Sequence, residues 1–160
     1  MRVGFGYDIH RLVSNKKLLL GGVNIEYEKG LLGHSDGDVV LHALCDAILG
    51  ASGKGDLGEY FPSSDQQYKD IDSWKLLKKV IALLGEQWSI VNLDATIIAE
   101  EPKLKDYIEA IRLSIANLCC IKYNQVNVKS KTNDQLGAIG SGEGIASMVI
   151  VLLEEKNENL

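Results

Sequence analysis

The stretch Gly33-His34-Ser35-Asp36-Gly37-Asp38-Val39-Val40-Leu41-His42 constrains this chain more than any other. It runs from a glycine-flanked acidic turn straight into a helix. Asp38 stands at the N-cap position, where a short carboxylate accepts from free backbone N–H groups. Val39, Val40, Leu41, Leu44, Ala47 and Ile48 follow as the apolar body, and the helix is expected to end near Gly50. All three histidines lie within the first 42 residues of the chain. His34 and His42 bracket this stretch, and His10 sits in Gly6-Tyr7-Asp8-Ile9-His10-Arg11. The remainder reads as a scaffold that holds the two stretches together and builds a pocket around them.

Val3, Phe5, Tyr7 and Ile9 alternate along a strand from Arg2 to His10, which leaves Asp8 and His10 on its other face. Lys17 to Leu20, closed by Gly21-Gly22, reads as a second strand, and 23–32 as loop with at most a short strand. Ser52 to Lys69 carries Gly53, Gly55, Gly58 and Pro62 without helical period. Loops this long in compact domains are functional or disordered, and Leu57, Tyr60 and Phe61 favour an ordered, functional one. Asp72-Ser73 caps a helix carrying Trp74, Leu77, Ile81 and Leu84 and stopped by Gly85. Ser89 to Ile97 alternates as a strand, Pro102 opens a helix to about Leu118, and Gln125 to Ser130 forms another strand. Lys131 to Gly144 is a polar glycine-rich loop. Ile145 to Leu153 is the most apolar strand and therefore central. Residues 154–160 read as a frayed tail. Strands and helices do not alternate strictly, which predicts a single α+β domain over 1–153: a mainly four-stranded mixed sheet with helices packed on one face, plus a short hairpin.

The 160 residues carry a net charge of −5 with Lys and Arg scattered, which argues against nucleic acid as a partner. Apolar residues at 46% are enough for one core. The longest apolar run, Met148 to Leu153, is too short to span a bilayer. Cys45, Cys119 and Cys120 suit reduced thiols in a cytoplasmic protein, and no signal or transit segment is evident.

Asp8 and His10, at i and i+2, leave one face of a strand, and His42 comes from the first turns of a helix. Two imidazoles and a carboxylate suit a divalent metal, zinc where nitrogen dominates, with a fourth position left open. A lone D-x-H is also commonplace, and His42 could equally be a satisfied histidine at a helix start. Asp46, one helical turn after His42, could accept its second ring N–H or be an exposed acid. His34 could donate to a phosphate oxygen. In Lys131-Thr132-Asn133-Asp134, Thr132 and loop amides suit phosphate oxygens and Asp134 suits a hard cation, although T-N-D is also an ordinary turn.

The stretches G-Y-D-I-H-R, H-S-D-G-D-V-V-L-H-A-L-C-D-A-I-L-G, G-D-L-G-E-Y-F-P, A-E-E-P-K-L and G-S-G-E-G-I-A resemble the 2-C-methyl-D-erythritol 2,4-cyclodiphosphate synthase family, in unbroken order from Arg2 to about Leu153. The resemblance implies an enzyme of the non-mevalonate isoprenoid route. Its substrate is a cytidine diphosphate ester whose own second phosphate attacks the β-phosphorus and expels CMP. It implies one zinc per subunit on Asp8, His10 and His42, and Mg²⁺ or Mn²⁺ with the substrate diphosphate, held with help from Asp134. It implies that His34 and Thr132 steady the transition state. The substrate contacts it implies are Asp8, His10, His34 and Ser35; the methylerythritol loop of Asp56, Leu57, Gly58, Phe61, Pro62, Ser63, Ser64 and Asp65; and the cytidine pocket of Ala99, Glu100, Glu101, Pro102, Lys103, Leu104 and Lys105 with Lys131, Thr132, Asn133 and Asp134. It further implies a homotrimer with active sites between subunits.

The chain departs from the family pattern at Ala138 and Ser141, where relatives often carry Phe and Arg beside an axial cavity able to hold an isoprenoid diphosphate. Lys131 and Asn133 replace smaller or hydroxyl residues, and Ser63-Ser64 is not the commonest loop. Two other readings stand beside the synthase. One is a trimeric zinc-containing binding module without catalysis. The other is a zinc hydrolase, which needs a general base beside the metal, with His34 the one candidate.

Overall fold

A computed structural model describes residues 1–156. The chain runs β1 (Arg2–Ser14), β2 (Leu18–Leu20), β3 (Val23–Ile25), β4 (Lys29–Leu32), α1 (Val39–Ser52), α2 (Leu57–Tyr60), α3 (Ser73–Leu84), β5 (Trp88–Ile98), α4 (Ile108–Cys119), β6 (Val126–Lys131), α5 (Gly137–Gly140) and β7 (Gly144–Glu155). One mixed sheet has the order β4-β1-β7-β5-β6, with β5 and β6 parallel and the other pairs antiparallel. β7 is indeed central. The fold is α+β as expected, but the sheet has five strands rather than four.

The extra strand is β4, which pairs with the far end of a longer β1, Arg11 opposite Leu32 through Ser14 opposite Lys29. Mixed polarity and Gly30 hid it in the sequence. Gly30 serves a close approach, because a Cβ there would overlap the Lys17 backbone. The expected short hairpin is β2–β3, a separate two-stranded ribbon. Strand β7 continues through Glu154 and Glu155, which pair with Ser89 and Trp88, so the sheet extends past the expected domain end at 153. The last part of the expected tail, 157–160, lies outside the described residues.

The expected 52–69 loop contains α2 and a 3₁₀ turn at Gln66–Tyr68. Pro102 does not open α4. It follows a cis peptide bond, and the helix begins only after a 3₁₀ turn at Lys105–Tyr107. Helix α1 runs slightly past Gly50, to a left-handed Gly53 cap.

The alternating pattern of β1 has a structural meaning that the sequence left open. Val3, Phe5, Tyr7 and Ile9 face outward and are 69%, 60%, 45% and 44% exposed. Gly4, Gly6, Asp8 and His10 face α1 instead. A Cβ at Gly4 or Gly6 would overlap the carbonyl of Ala47 or Ala43. Two glycines on the strand and Ala43, Ala47 and Ala51 on the helix thus let α1 lie directly on β1. Asp38 pins the start of that helix. Its carboxylate accepts from Val40 and Leu41 N–H, both at 3.1 Å, and from Gly21 and Gly22 N–H at 2.9 and 2.6 Å. The cap therefore also holds the turn between β2 and β3. Burial pushes the Asp38 carboxyl up, against the pull of these N–H groups.

Candidate active site

Close seating of α1 on β1 brings His42 over the Asp8 and His10 face of the strand. Asp8 Oδ2 lies 2.8 Å from His10 Nε2 and 3.0 Å from His42 Nδ1. The two ring nitrogens are 3.1 Å apart, and the rings meet edge to face. These donor atoms form a cluster able to hold a metal ion. Tetrahedral zinc, with bonds of about 2.0–2.2 Å, spaces its ligands about 3.3–3.5 Å apart, so three donors at these separations need to spread only slightly. The donor set therefore fits such an ion.

Charge balance fits as well. Burial raises the Asp8 pKa, but hydrogen bonds with His10 and His42 outweigh it and hold the carboxyl well below the usual carboxylate range. Burial lowers the His10 pKa, and the hydrogen bond and charge of Asp8 outweigh that, leaving it raised. A fixed carboxylate beside two imidazoles is a ready cation site.

The triad opens onto a cleft of about 440 Å³ lined by His10, His34, Ser35, His42, Leu57, Phe61, Ser63, Tyr68, Ile71 and Leu76. His34, Ser35 and Leu57, Phe61 and Ser63 of the 56–65 loop thus share a cleft with His10 and His42. His34 Nε2 lies 3.3 Å from the Asp65 carbonyl. Asp56 caps α2 through Glu59 N–H at 3.0 Å, and Asp65 caps the following 3₁₀ turn.

Asp46 does not orient His42. Its carboxylate accepts from Leu57 N–H at 2.7 Å and ties α2 to α1. His42 Nε2 instead lies 2.9 Å from Ser35 Oγ and 2.9 Å from Ser73 Oγ. Ser73, read from sequence only as part of a helix start, was missed as a site residue. No local signal could reveal it, because the contact joins residues 31 apart in the chain.

A second cleft of about 270 Å³ is lined by Ala99, Pro102, Lys103, Leu104, Ser130, Lys131 and Thr132. The Glu100 carboxylate accepts from Asn133 N–H at 3.1 Å and fixes the loop after β6. Lys103 pairs with Glu101 at 3.3 Å. Asp134 is exposed, in a left-handed conformation with φ +54°. Thr132 follows β6, three places from β1 in the sheet, or roughly 14 Å at strand spacing. Within one chain, Thr132 and Asp134 do not line the cleft beside the triad.

Against known proteins, the sequence model of the YgbB family matches residues 1–154. The chain belongs to the YgbB family. It is 55% identical over 157 residues, 98% of this chain and 100% of the relative, to the 2-C-methyl-D-erythritol 2,4-cyclodiphosphate synthase of Geotalea uraniireducens. Among solved structures, the bifunctional IspDF of Campylobacter jejuni superposes with a TM-score of 0.94 at 41% identity. The match covers 98% of this chain but 42% of that longer protein. The Plasmodium falciparum IspF CDP complex superposes with a TM-score of 0.85 at 36% identity, covering 98% of this chain and 97% of the other. At these identities the family's fold extends over the whole of the five-stranded sheet and its helices.

Proposed function

We infer that this chain converts 4-diphosphocytidyl-2-C-methyl-D-erythritol 2-phosphate to 2-C-methyl-D-erythritol 2,4-cyclodiphosphate and CMP. The observation that carries this reading is the convergence of three metal donors on a cleft lined by His34 and Ser35, in a chain 55% identical along its length to a synthase of that name. An oxygen of the substrate's 2-phosphate bonds to the β-phosphorus. The bond from that phosphorus to the bridging oxygen breaks, and its electrons leave with CMP. The nucleophile belongs to the substrate, so the protein's task is positioning and charge neutralisation.

Asp8, His10 and His42 would hold the zinc, which would supply Lewis acidity toward a phosphate oxygen. His34 and Thr132 steady the charge that develops in transfer, and Asp134 would help to hold Mg²⁺ or Mn²⁺, which would neutralise diphosphate charge. The 56–58 and 61–65 segments surround the methylerythritol phosphate. Residues 99–105, with 131–134, receive the cytidine. The chain is a single synthase domain over 1–153 and works in the cytoplasm. No helix among the described residues is long and apolar enough to cross a membrane.

A homotrimer with shared active sites is part of the same reading. Two features support it. The sheet face of Val3, Phe5, Tyr7, Ile9, Met148 and Ile150 is apolar and uncovered, and contiguous patches of this kind mark interaction surfaces. The Thr132 cleft and the triad cleft are also too far apart in one chain to act on one diphosphate, so a neighbour's 99–105 and 131–134 segments complete each site.

Incubation with the cytidine diphosphate substrate should release CMP in step with a cyclic product. CMP with a linear product would favour the hydrolase. His42→Ala should lose bound metal and turnover together; full turnover without metal would remove the triad from the mechanism.

A further inference from the structure

His42 has two ring nitrogens with separate tasks. Nδ1 faces Asp8 and His10, and so must present a lone pair there if it is to bind a metal. Nε2 must then carry the proton. What fixes that choice lies on the other side of the ring, in a network that joins the loop before α1 to the start of α3. Ser73 Oγ donates to Asp36 Oδ1 in a short hydrogen bond, and Ser73 N–H donates to Asp36 Oδ2 at 3.0 Å. The one hydroxyl proton of Ser73 is thereby committed to a carboxylate. Toward His42 Nε2, 2.9 Å away, Ser73 Oγ can only accept. Ser35 Oγ, 2.9 Å from Nε2 and 3.3 Å from Ser73 Oγ, completes the polar wall and itself accepts from Gly37 N–H at 3.2 Å.

Burial makes this arrangement consequential. Ser73 is 0% exposed and Ser35 6%, so water cannot substitute as a partner. The backbone holds it rigidly as well. Asp36 N–H donates to the Ile71 carbonyl at 3.1 Å, and Asp70 N–H donates to the His34 carbonyl at 2.8 Å, zipping the two loops together. An outer partner of a ligating histidine both sets its tautomer and raises its basicity.

We propose that Ser73 and Asp36 are positioning residues of the metal centre, acting as an Asp36–Ser73 relay that holds the His42 proton on Nε2 and its lone pair on the metal side. The proposal rests on Asp8, His10 and His42 being the metal ligands, and its test separates the two. Zinc affinity is measured by chelator competition for wild type, His42→Ala and Ser73→Ala. The ring N–H proton of His42 is followed by NMR in the zinc-loaded proteins. Wild type and His42→Ala binding zinc equally would sink the ligand assignment itself. With that difference in place, Ser73→Ala should bind zinc about 10- to 100-fold more weakly, and the His42 ring N–H signal should move. Affinity within about twofold of wild type, or weakened binding with an unmoved ring signal, overturns the relay. Should the alanine variant not fold, Ser73→Thr and Ser73→Val, nearly equal in volume, isolate the hydroxyl. Thr should then bind zinc at least about tenfold tighter than Val, and equal binding overturns the proposal.

Discussion

Asp8 carries more than one role, and its ionisation can be followed in the metal-free protein. Its folded pKa lies below the ordinary value of about 3.9, so its stabilising pairing is present above that pH and is lost as pH falls toward the folded value. His10 is raised, so its contribution is complete below about pH 6.5 and is lost as pH rises through the folded value. Both contributions are complete together between about pH 4 and about pH 6.5. The melting-temperature difference between metal-free wild type and Asp8→Asn should therefore peak in that window and shrink on either side. A difference that keeps growing to pH 8 would contradict the pairing. Added zinc should reverse the alkaline trend, because an ion held by His10 would compete with its proton and bind more tightly as pH rises.

Helix α1 is the element on which the site depends, and its contact with β1 rests on hydrogen atoms where other residues carry side chains. A methyl at Gly6 would overlap the Ala43 carbonyl. Gly6→Ala should lift the helix, cost about 1–3 kcal/mol or more by overpacking, and weaken metal binding through displaced His42. Gly50 lies in the same helix with nothing within 4 Å of an added Cβ. Gly50→Ala should stabilise by roughly 0.5–1 kcal/mol through helix propensity. Denaturant unfolding of the two variants checks both signs. The site's other support is Asp46, which holds α2 and with it the Leu57 wall of the cleft. Helical spacing leaves Asp46 open between a partner of His42 and an exposed acid, because spacing gives the face of a helix and not what approaches it.

At the scale of the whole molecule, two features of the single chain underlie the proposed assembly. A single chain leaves Phe5 60% and Ile150 48% exposed on a continuous apolar face, while its two clefts stand apart. Phe5→Glu combined with Ile150→Glu should yield a monomer by sedimentation that keeps zinc yet loses CMP release. A monomeric variant with full turnover would show that one chain carries a complete site. The glycine-rich segment 137–144, where Ala138 and Ser141 depart from the family pattern, closes through a single helical turn, α5. Ala138 lines a pocket beside Ile9 and Arg11 at the edge of the same apolar face.

By itself the sequence determined the strands with clean period two, the Asp38-capped helix and the metal-ligand types. Each of these depends on neighbours a few residues away, where backbone geometry leaves little choice. It also determined the family, through blocks of unbroken order. Only the tertiary structure decided that Val3, Phe5, Tyr7 and Ile9 face outward, since alternation marks two faces without saying which is covered. It alone added β4, whose pairing with Arg11–Ser14 compensates for a weak local signal. The partner of His42 was decided there too. Ser73 reaches it because α3 begins beside the Asp36 turn, a meeting fixed by packing between distant segments rather than by spacing within any one of them.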